Sequence, residues 1–417
     1  MGIPVIKNKW LTSWLENKII KAQLRNEVGL SVYMKKTLQI VLAIFFVVSL
    51  FAFQVNAQDA KFDSTVSAGI KQIYDIKFLQ AEATFKKLIT DYPNKPAGKF
   101  FLAMIDWWKI LLDPNNESYD DMFLKKLDEV INQCDQLLDK NPDNVDALFF
   151  KGGGIGFRGR LRAFRESWLK AADDGREALP IVQRAGELDP KNVDVQLGYG
   201  IYNYYASVLP DKYPMLKPIM LFLPSSDKKK GLLQLDYVAR DGKYAKYEAQ
   251  YFLMNIYYSY ENQPFEAEKY AHLLTSQFPD NPNFERWLGR IYAKEGRWSL
   301  ASAVFANVLK KSGNGLTGYT FPAVKRETVY YVGFEYKQEG KLDSAKIYFQ
   351  QCADISNKID KDGESGFLVN ATLYLGNIYD AQNNRAKAIE LYKKVLDMKD
   401  FGNAQNFAEQ YLKKAYK

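Results

Sequence analysis

Apolar and polar positions in the second half of the chain recur with one spacing in three separate segments. Each segment has six marked positions, which always include one Gly, one Ala and two aromatic residues. The steps between them are 1, 3, 9, 4 and 3 residues, and the positions are Leu288, Gly289, Tyr292, Ala301, Phe305 and Val308; Val332, Gly333, Tyr336, Ala345, Phe349 and Cys352; and Leu375, Gly376, Tyr379, Ala388, Tyr392 and Val395. Steps of three and four residues place side chains on one face of a helix. Each segment is therefore predicted to form two amphipathic helices joined by a turn.

Parts of the same pattern occur elsewhere in the chain. A fourth unit is predicted 34 residues before Gly289, around Asn255. The N-terminal half is less regular, because Pro142 and Pro190 end helices that are 48 residues apart. Its match to the second helix of a unit consists of Ala81, Phe85, Leu88 and Pro93. We expect longer helices or added turns there, and a solvating cap helix over residues 403–416.

This pattern resembles the tetratricopeptide repeat, a helix–turn–helix unit of about 34 residues. The resemblance implies an all-α fold, a right-handed superhelical solenoid of antiparallel helix pairs with six or seven units. Divergent repeats are expected over residues 58–209, a Pro-rich apolar loop over 210–224, and regular repeats with the cap helix over 225–417.

The resemblance also implies a binding groove lined by the first helices of the repeats. The matching positions of this chain are Arg286, Arg290 and Lys294 in one repeat and Tyr330, Phe334 and Lys337 in the next. Cations beside aromatic rings suit an acidic peptide or a terminal carboxylate. The alternative is that these are ordinary solvated residues, and the asparagines of the family's peptide clamp are not reproduced.

A leader is predicted from Met34. Lys35 and Lys36 precede an apolar run, and the run ends in Val55-Asn56-Ala57. This is the pattern of a secretory signal peptide over residues 34–57, cleaved after Ala57, with residues 1–33 as an upstream extension outside the mature protein. The alternative keeps the apolar run as an N-terminal membrane anchor. Either way the protein is expected to act in the periplasm or at the outer envelope.

Charge and cysteine content narrow the class of partner. The net charge is +8, but residues 1–57 hold seven positive and two negative groups, which leaves +3 for the rest. A basic surface for nucleic acid is therefore not expected. Cys134 and Cys352 have no metal-ligand or redox spacing, and both are predicted to be buried free thiols.

Few residues suggest catalysis. Residues 154–159 match the letters of a dinucleotide-binding loop, but they follow a predicted helix, whereas that loop needs a preceding strand. Close helix packing is the favoured interpretation, and a ligand-accessible gap is the alternative. His272 is the sole histidine and has no nucleophile motif beside it. We predict no catalytic residues, no metal and no cofactor, with an enzyme site near residues 152–159 as a remote alternative.

In the segment Leu209–Pro224, seven large apolar residues lie between four prolines. One interpretation is a loop that buries these groups against the helices; the other is an exposed contact for a membrane or a partner. The sequence as a whole favours a non-catalytic scaffold that binds protein or peptide partners, with a membrane-associated assembly factor as the alternative.

Overall fold

The computed structural model describes residues 60–417 except 221, 222 and 362. The predicted extension and the leader over 34–57 lie outside the described residues. Contacts divide the chain into residues 1–64 and 65–417, and the architecture below is that of the second unit.

The described residues are helical, and no strand occurs among them, so the all-α prediction is confirmed. Short 3₁₀ turns lie at Glu117–Tyr119, Val193–Val195 and Pro214–Leu216. The helices are α1 (60–74), α2 (Phe78–Asp91), α3 (Ala97–Leu112), α4 (Asp120–Lys140), α5 (Val145–Phe164), α6 (Trp168–Leu188), α7 (Gln196–Lys212), α8 (Lys217–Met220), α9 (Lys228–Asp241), α10 (Lys246–Ser259), α11 (Pro264–Gln277), α12 (Pro282–Lys294), α13 (Trp298–Gly313), α14 (Pro322–Gln338), α15 (Leu342–Ile359), α16 (Gly366–Ala381), α17 (Arg385–Leu396) and α18 (Ala404–Lys413).

Consecutive helices pack as hairpins. Eight hairpins occur among the described residues, whereas the sequence pattern suggested six or seven. They are α1/α2, α3/α4, α5/α6, α7/α9, α10/α11, α12/α13, α14/α15 and α16/α17. The added units lie in the N-terminal half, where α4, α5 and α6 have 21, 20 and 21 residues and obscure the 34-residue period. The predicted cap is α18, which buries Ala404 and Ala408 on its inner face.

The Gly and aromatic positions of the pattern meet at the crossing inside the hairpins α12/α13 and α16/α17. A Cβ at Gly289 would lie 2.6 Å from the ring of Phe305, and one at Gly376 would lie 2.6 Å from the ring of Tyr392. Gly69 meets the ring of Phe85 in the same way. Gly69, Ala81 and Phe85 have the spacing of Gly289, Ala301 and Phe305, so the first hairpin is a regular unit whose glycine the sequence analysis did not identify.

The segment expected to be a Pro-rich loop is partly helical. Helix α7 continues through Pro210 to Lys212, and a 3₁₀ turn and α8 follow. Pro210 lies in the last turn of α7, where it has no backbone N–H to donate to the helix. Leu216 is buried, whereas Met215 is 60% exposed. These two neighbouring apolar residues therefore differ in their exposure to solvent.

The N-terminal hairpins contact hairpins far along the chain. Asn281 caps α12 with its side-chain oxygen, and its Nδ2 donates to the carbonyl of Tyr74 over 2.8 Å. The indole of Trp108 on α3 packs edge-on against Phe284 on α12, with ring centroids 5.4 Å apart. Asn115 donates to the carbonyl of Ile359 over 3.3 Å. The array is therefore curled, and α3 lies against α12. In an open array these two helices would face solvent at this point.

Candidate functional site

Arg286 and Arg290, two of the predicted groove cations, are paired with one buried carboxylate. Arg286 Nε donates to Glu327 Oε2 over 2.6 Å, and Arg290 donates to both oxygens, with Nη2 at 2.7 Å from Oε2. Arg286 is buried and Glu327 is fully buried, while the side chain of Arg290 is 25% exposed. These two guanidiniums are therefore not free cations on an open surface.

Burial of the Glu327 carboxyl by itself raises its pKa, but the charges and hydrogen bonds of Arg286 and Arg290 outweigh that cost. The result is a Glu327 pKa of about 2, below the ordinary 4.5. For Arg286 burial is the dominant effect, and it lowers the pKa of the guanidinium from its usual value. The triad is thus ionised throughout the physiological range.

The other four predicted residues lie further along the same face. Lys294 is exposed, with its ammonium 4.4 Å from the ring centroid of Tyr258. Lys337 donates to the hydroxyl of Tyr416 and lies 5.4 Å from the ring of Tyr374. Tyr330 packs against the core formed by Phe349 and its neighbours, and burial raises its pKa well above the ordinary value.

Phe334 packs between two other aromatic rings. Its ring centroid lies 4.5 Å from that of Trp298 and 5.6 Å from that of Tyr374. The cation–aromatic strip, as we name it, consists of Tyr258, Lys294, Trp298, Phe334, Lys337 and Tyr374. It is partly exposed, and it presents ammonium groups beside ring faces, which attract cations and stack on planar groups.

A cavity of about 610 Å³ lies within the curl, beside the Arg286–Glu327–Arg290 triad. Helices α3, α5, α6, α7, α10 and α12 supply its walls, and Leu209, Leu216 and Leu223 border it from the Pro-rich segment. Aromatic and aliphatic side chains predominate. The described lining residues include Arg160, Arg286, Arg290, Asn255 and Asn283, but no carboxylate, histidine, cysteine or lysine. Its size lies within the range of ligand sites in proteins, about 300–1,000 Å³.

Arg160 connects α5 with two other walls of the cavity. Its guanidinium lies 4.7 Å from the ring of Trp107 and 4.3 Å from that of Phe252, and it is ion-paired with Glu248. Glu248 also accepts a 2.8 Å hydrogen bond from the hydroxyl of Tyr74. Arg160 is thereby fixed between two aromatic faces at the cavity wall.

Two segments of the chain match family models of the tetratricopeptide repeat, residues 330–359 and 373–401. They cover α15 and α17 with the C-terminal parts of the helices before them, and the second segment includes the crossing of Gly376 with Tyr392. The chain contains tetratricopeptide repeats.

No curated protein matches this tetratricopeptide-repeat protein in sequence. Among solved structures it is similar to the Cut9–Hcn1 hetero-tetramer of the APC/C, with 13% identity, a TM-score of 0.47, and coverage of 80% of this chain and 52% of that chain. It is also similar to PilW, a type IV pilus biogenesis factor, with 17% identity, a TM-score of 0.37, and coverage of 59% of this chain and 92% of that chain. For PilF of Pseudomonas aeruginosa the identity is 13% and the TM-score is 0.40, with coverage of 62% of this chain and 97% of that chain. The chain thus spans about half the length of the Cut9 complex chain it matches. The assignment of tetratricopeptide repeats rests on the two segments that match family models and on the hairpin packing.

The glycine-rich run of this tetratricopeptide-repeat protein lies inside α5, and no strand precedes it among the described residues, so it is not a dinucleotide-binding loop. A Cβ at Gly159 would meet Asp174 at 3.0 Å, which is the close packing that was expected. A Cβ at Gly156 would meet nothing within 4 Å, and Gly156 lines the cavity. Packing and a ligand-accessible gap therefore occur together in one helix.

The remaining candidate residues are two cysteines and one histidine. Cys134 and Cys352 are buried free thiols, as predicted, and burial raises the pKa of each to about 12. The half-exposed ring of His272 lies 3.2 Å from both Glu268 and the hydroxyl of Tyr292. Over the described ranges no cluster of three or more potential metal ligands occurs. None of the helices described is both long and apolar enough to cross a bilayer.

Apart from Arg286, Arg290 and the glycine run near 154, the cavity residues were not recognised from the sequence. Trp107, Arg160 and Asn283 lie on three helices that the curl brings together, so their sequence separations carry no signal of proximity. The glycine run was a visible sign of a gap, because a glycine on a helix face leaves room for another group.

Proposed function

We propose that this tetratricopeptide-repeat protein is an exported, non-catalytic scaffold that binds an acidic protein or peptide partner in the periplasm or at the outer envelope. The observation that carries the proposal is the cation–aromatic strip, which combines an exposed ammonium at Lys294 with aromatic rings that are partly open to solvent. Carboxylates of a partner would bond to the ammonium groups, and planar side chains would stack on the rings.

Arg286 and Arg290 support this role indirectly. Glu327 pairs with both of them and fixes α12 against α14, on which Phe334 and Lys337 lie. Charge reversal at the arginines would break a buried ion pair and disturb the fold, so a test of binding has to use the lysines instead.

The strip is tested by reversing Lys294 and Lys337 to Glu together, with Lys310→Glu on the exposed face of α13 as the matched control. The protein is captured from the envelope fraction, its N-terminus is sequenced, and its bound proteins are quantified. We expect the double variant to lose its main partner at least tenfold, whereas the control retains it. The mature chain is expected to begin at Gln58.

Retention of every partner by the double variant would contradict the strip as the binding surface. A mature chain that still contained Met34 would contradict export with cleavage, and would favour the anchored alternative. The enzyme alternative near residues 152–159 finds no carboxylate, histidine, cysteine or lysine among the described residues that line this cavity.

A further inference from the structure

Polar and apolar parts of the cavity wall come from different helices. Asn283, Arg286 and Arg290 are spaced by three and four residues, so they share one face of α12. Helix α6, in contrast, lines the cavity with Ala, Gly, Leu, Val and Trp side chains alone. The cavity is therefore amphipathic, with hydrogen-bond donors on the α12 wall and apolar surface on the α6 wall.

Several hydrogen-bond donors on residues that line the cavity have no acceptor. Arg286 Nη1 and Asn283 Nδ2 on α12, and Trp107 Nε1 on α3, are buried and have no hydrogen-bond partner. All three side chains are more than nine-tenths buried, and all three residues line the cavity. Buried donors in proteins are ordinarily paired, so three such donors around one cavity indicate an acceptor that the chain itself does not supply.

The charges at the wall are also unbalanced. Arg160 is paired with Glu248, while Arg286 and Arg290 share the single carboxylate of Glu327. Three guanidiniums thus face two carboxylates, and one positive charge remains at the α12 end. A buried excess charge is costly unless an opposite charge joins it.

We propose that the cavity binds an amphiphile with one apolar chain and one anionic head, a carboxylate or a phosphate. The head lies against Asn283, Arg286 and Arg290, where it accepts hydrogen bonds and balances the remaining charge. The apolar chain of the ligand lies along α6, against Ala178, Leu179 and Val182, and along the start of α7. This site is separate from the cation–aromatic strip, and it does not depend on a protein partner.

The site is tested by titrating the purified protein with dodecanoate, dodecyl phosphate and dodecanol, below the concentrations at which they form micelles, using calorimetry and native mass spectrometry. We expect one dodecanoate or one dodecyl phosphate per protein, bound at least tenfold more tightly than dodecanol. A preference between the two anions identifies the head as a carboxylate or a phosphate.

Two variants separate the chain from the head. Gly156→Leu projects a side chain into open space at the cavity and should weaken all three ligands at least tenfold. Its control is Gly313→Leu, whose Cβ also meets nothing within 4 Å but which lies away from the cavity at the end of α13. Asn283→Asp replaces a donor by a negative charge in the first turn of α12, where an acidic residue suits the helix dipole. It should weaken the anions and spare dodecanol.

Equal or tighter binding of dodecanol would overturn the proposed head group. Unchanged binding by Gly156→Leu, or no binding of any probe by the unmodified protein, would overturn the site. Should Gly156→Leu lose its helical circular dichroism, Gly175→Leu on α6 takes its place, because Gly175 also lines the cavity with open space at its Cβ.

Discussion

Glu327 accepts hydrogen bonds from two guanidiniums while it is fully shielded from water. At the scale of a single residue this arrangement decides how the protein responds to acid. The folded pKa of about 2 lies below the ordinary 4.5. The carboxylate therefore contributes stability that is present above about pH 4.5 and is lost as the pH falls toward 2.

Replacement of Glu327 by Gln should lower the free energy of unfolding at pH 7 by about 3–5 kcal/mol, because two buried guanidiniums lose their counter-charge. The deficit should shrink between pH 4.5 and pH 2, where the unmodified protein also loses the ion pair. Urea unfolding followed by tryptophan fluorescence at several pH values measures it. A deficit that stays constant down to pH 2 would show that the triad does not depend on ionisation of Glu327.

Glycine has two opposite roles on the helices of this chain. At Gly289 the partner helix lies so close that a Cβ would be 2.6 Å from Phe305, whereas at Gly156 a Cβ would meet nothing. The first glycine is required by the hairpin crossing, and the second lies where the helix borders a cavity.

The two glycines should respond in opposite directions to the same change. Gly289→Ala should destabilise the protein by about 1–3 kcal/mol, as overpacking does. Gly156→Ala should stabilise it by up to about 1 kcal/mol, because alanine has the higher helix propensity. Thermal unfolding by circular dichroism compares them. Destabilisation by both would mean that the space beside Gly156 is not open.

Elements that depend on local spacing could be predicted from the sequence, and contacts between distant elements could not. The crossings of Gly289 with Phe305 and of Gly376 with Tyr392 follow from residues 16 apart, which any hairpin of this type brings together. The burial of Arg286 could not be foreseen, because its partner Glu327 lies 41 residues further along the chain, on the next hairpin. Trp107 and Asn283, which supply the cavity with donors, lie on helices that come together because α3 lies against α12.

For the whole molecule, the contact of α3 with α12 couples hairpins that are distant in the chain. In an open repeat array each unit contacts only its neighbours, and a local defect stays local. Trp108 is 1% exposed, and it packs on Phe284 and Tyr251 as well as on Tyr74. Loss of the Trp108 ring should therefore weaken the packing of both α3 and α12.

Trp108→Ala is expected to speed amide hydrogen exchange in α12 as well as in α3. Its control is Leu88→Ala, which removes a buried side chain of the first hairpin and should speed exchange mainly in α1 and α2. Exchange rates read by mass spectrometry for peptides of α12 compare the two. The same rates in both variants would show that α3 and α12 open independently.

The bond between Tyr74 and Asn281 spans 207 residues, so its two partners are made at different times. Synthesis at about 5–20 residues per second separates them by roughly 10–40 s. During that interval the rings of Tyr74 and Trp108 are present without Phe284, and the first hairpins expose an aromatic surface that the finished protein conceals. The nascent chain therefore passes through a stage at which it is most prone to aggregate, and the arrival of α12 ends that stage.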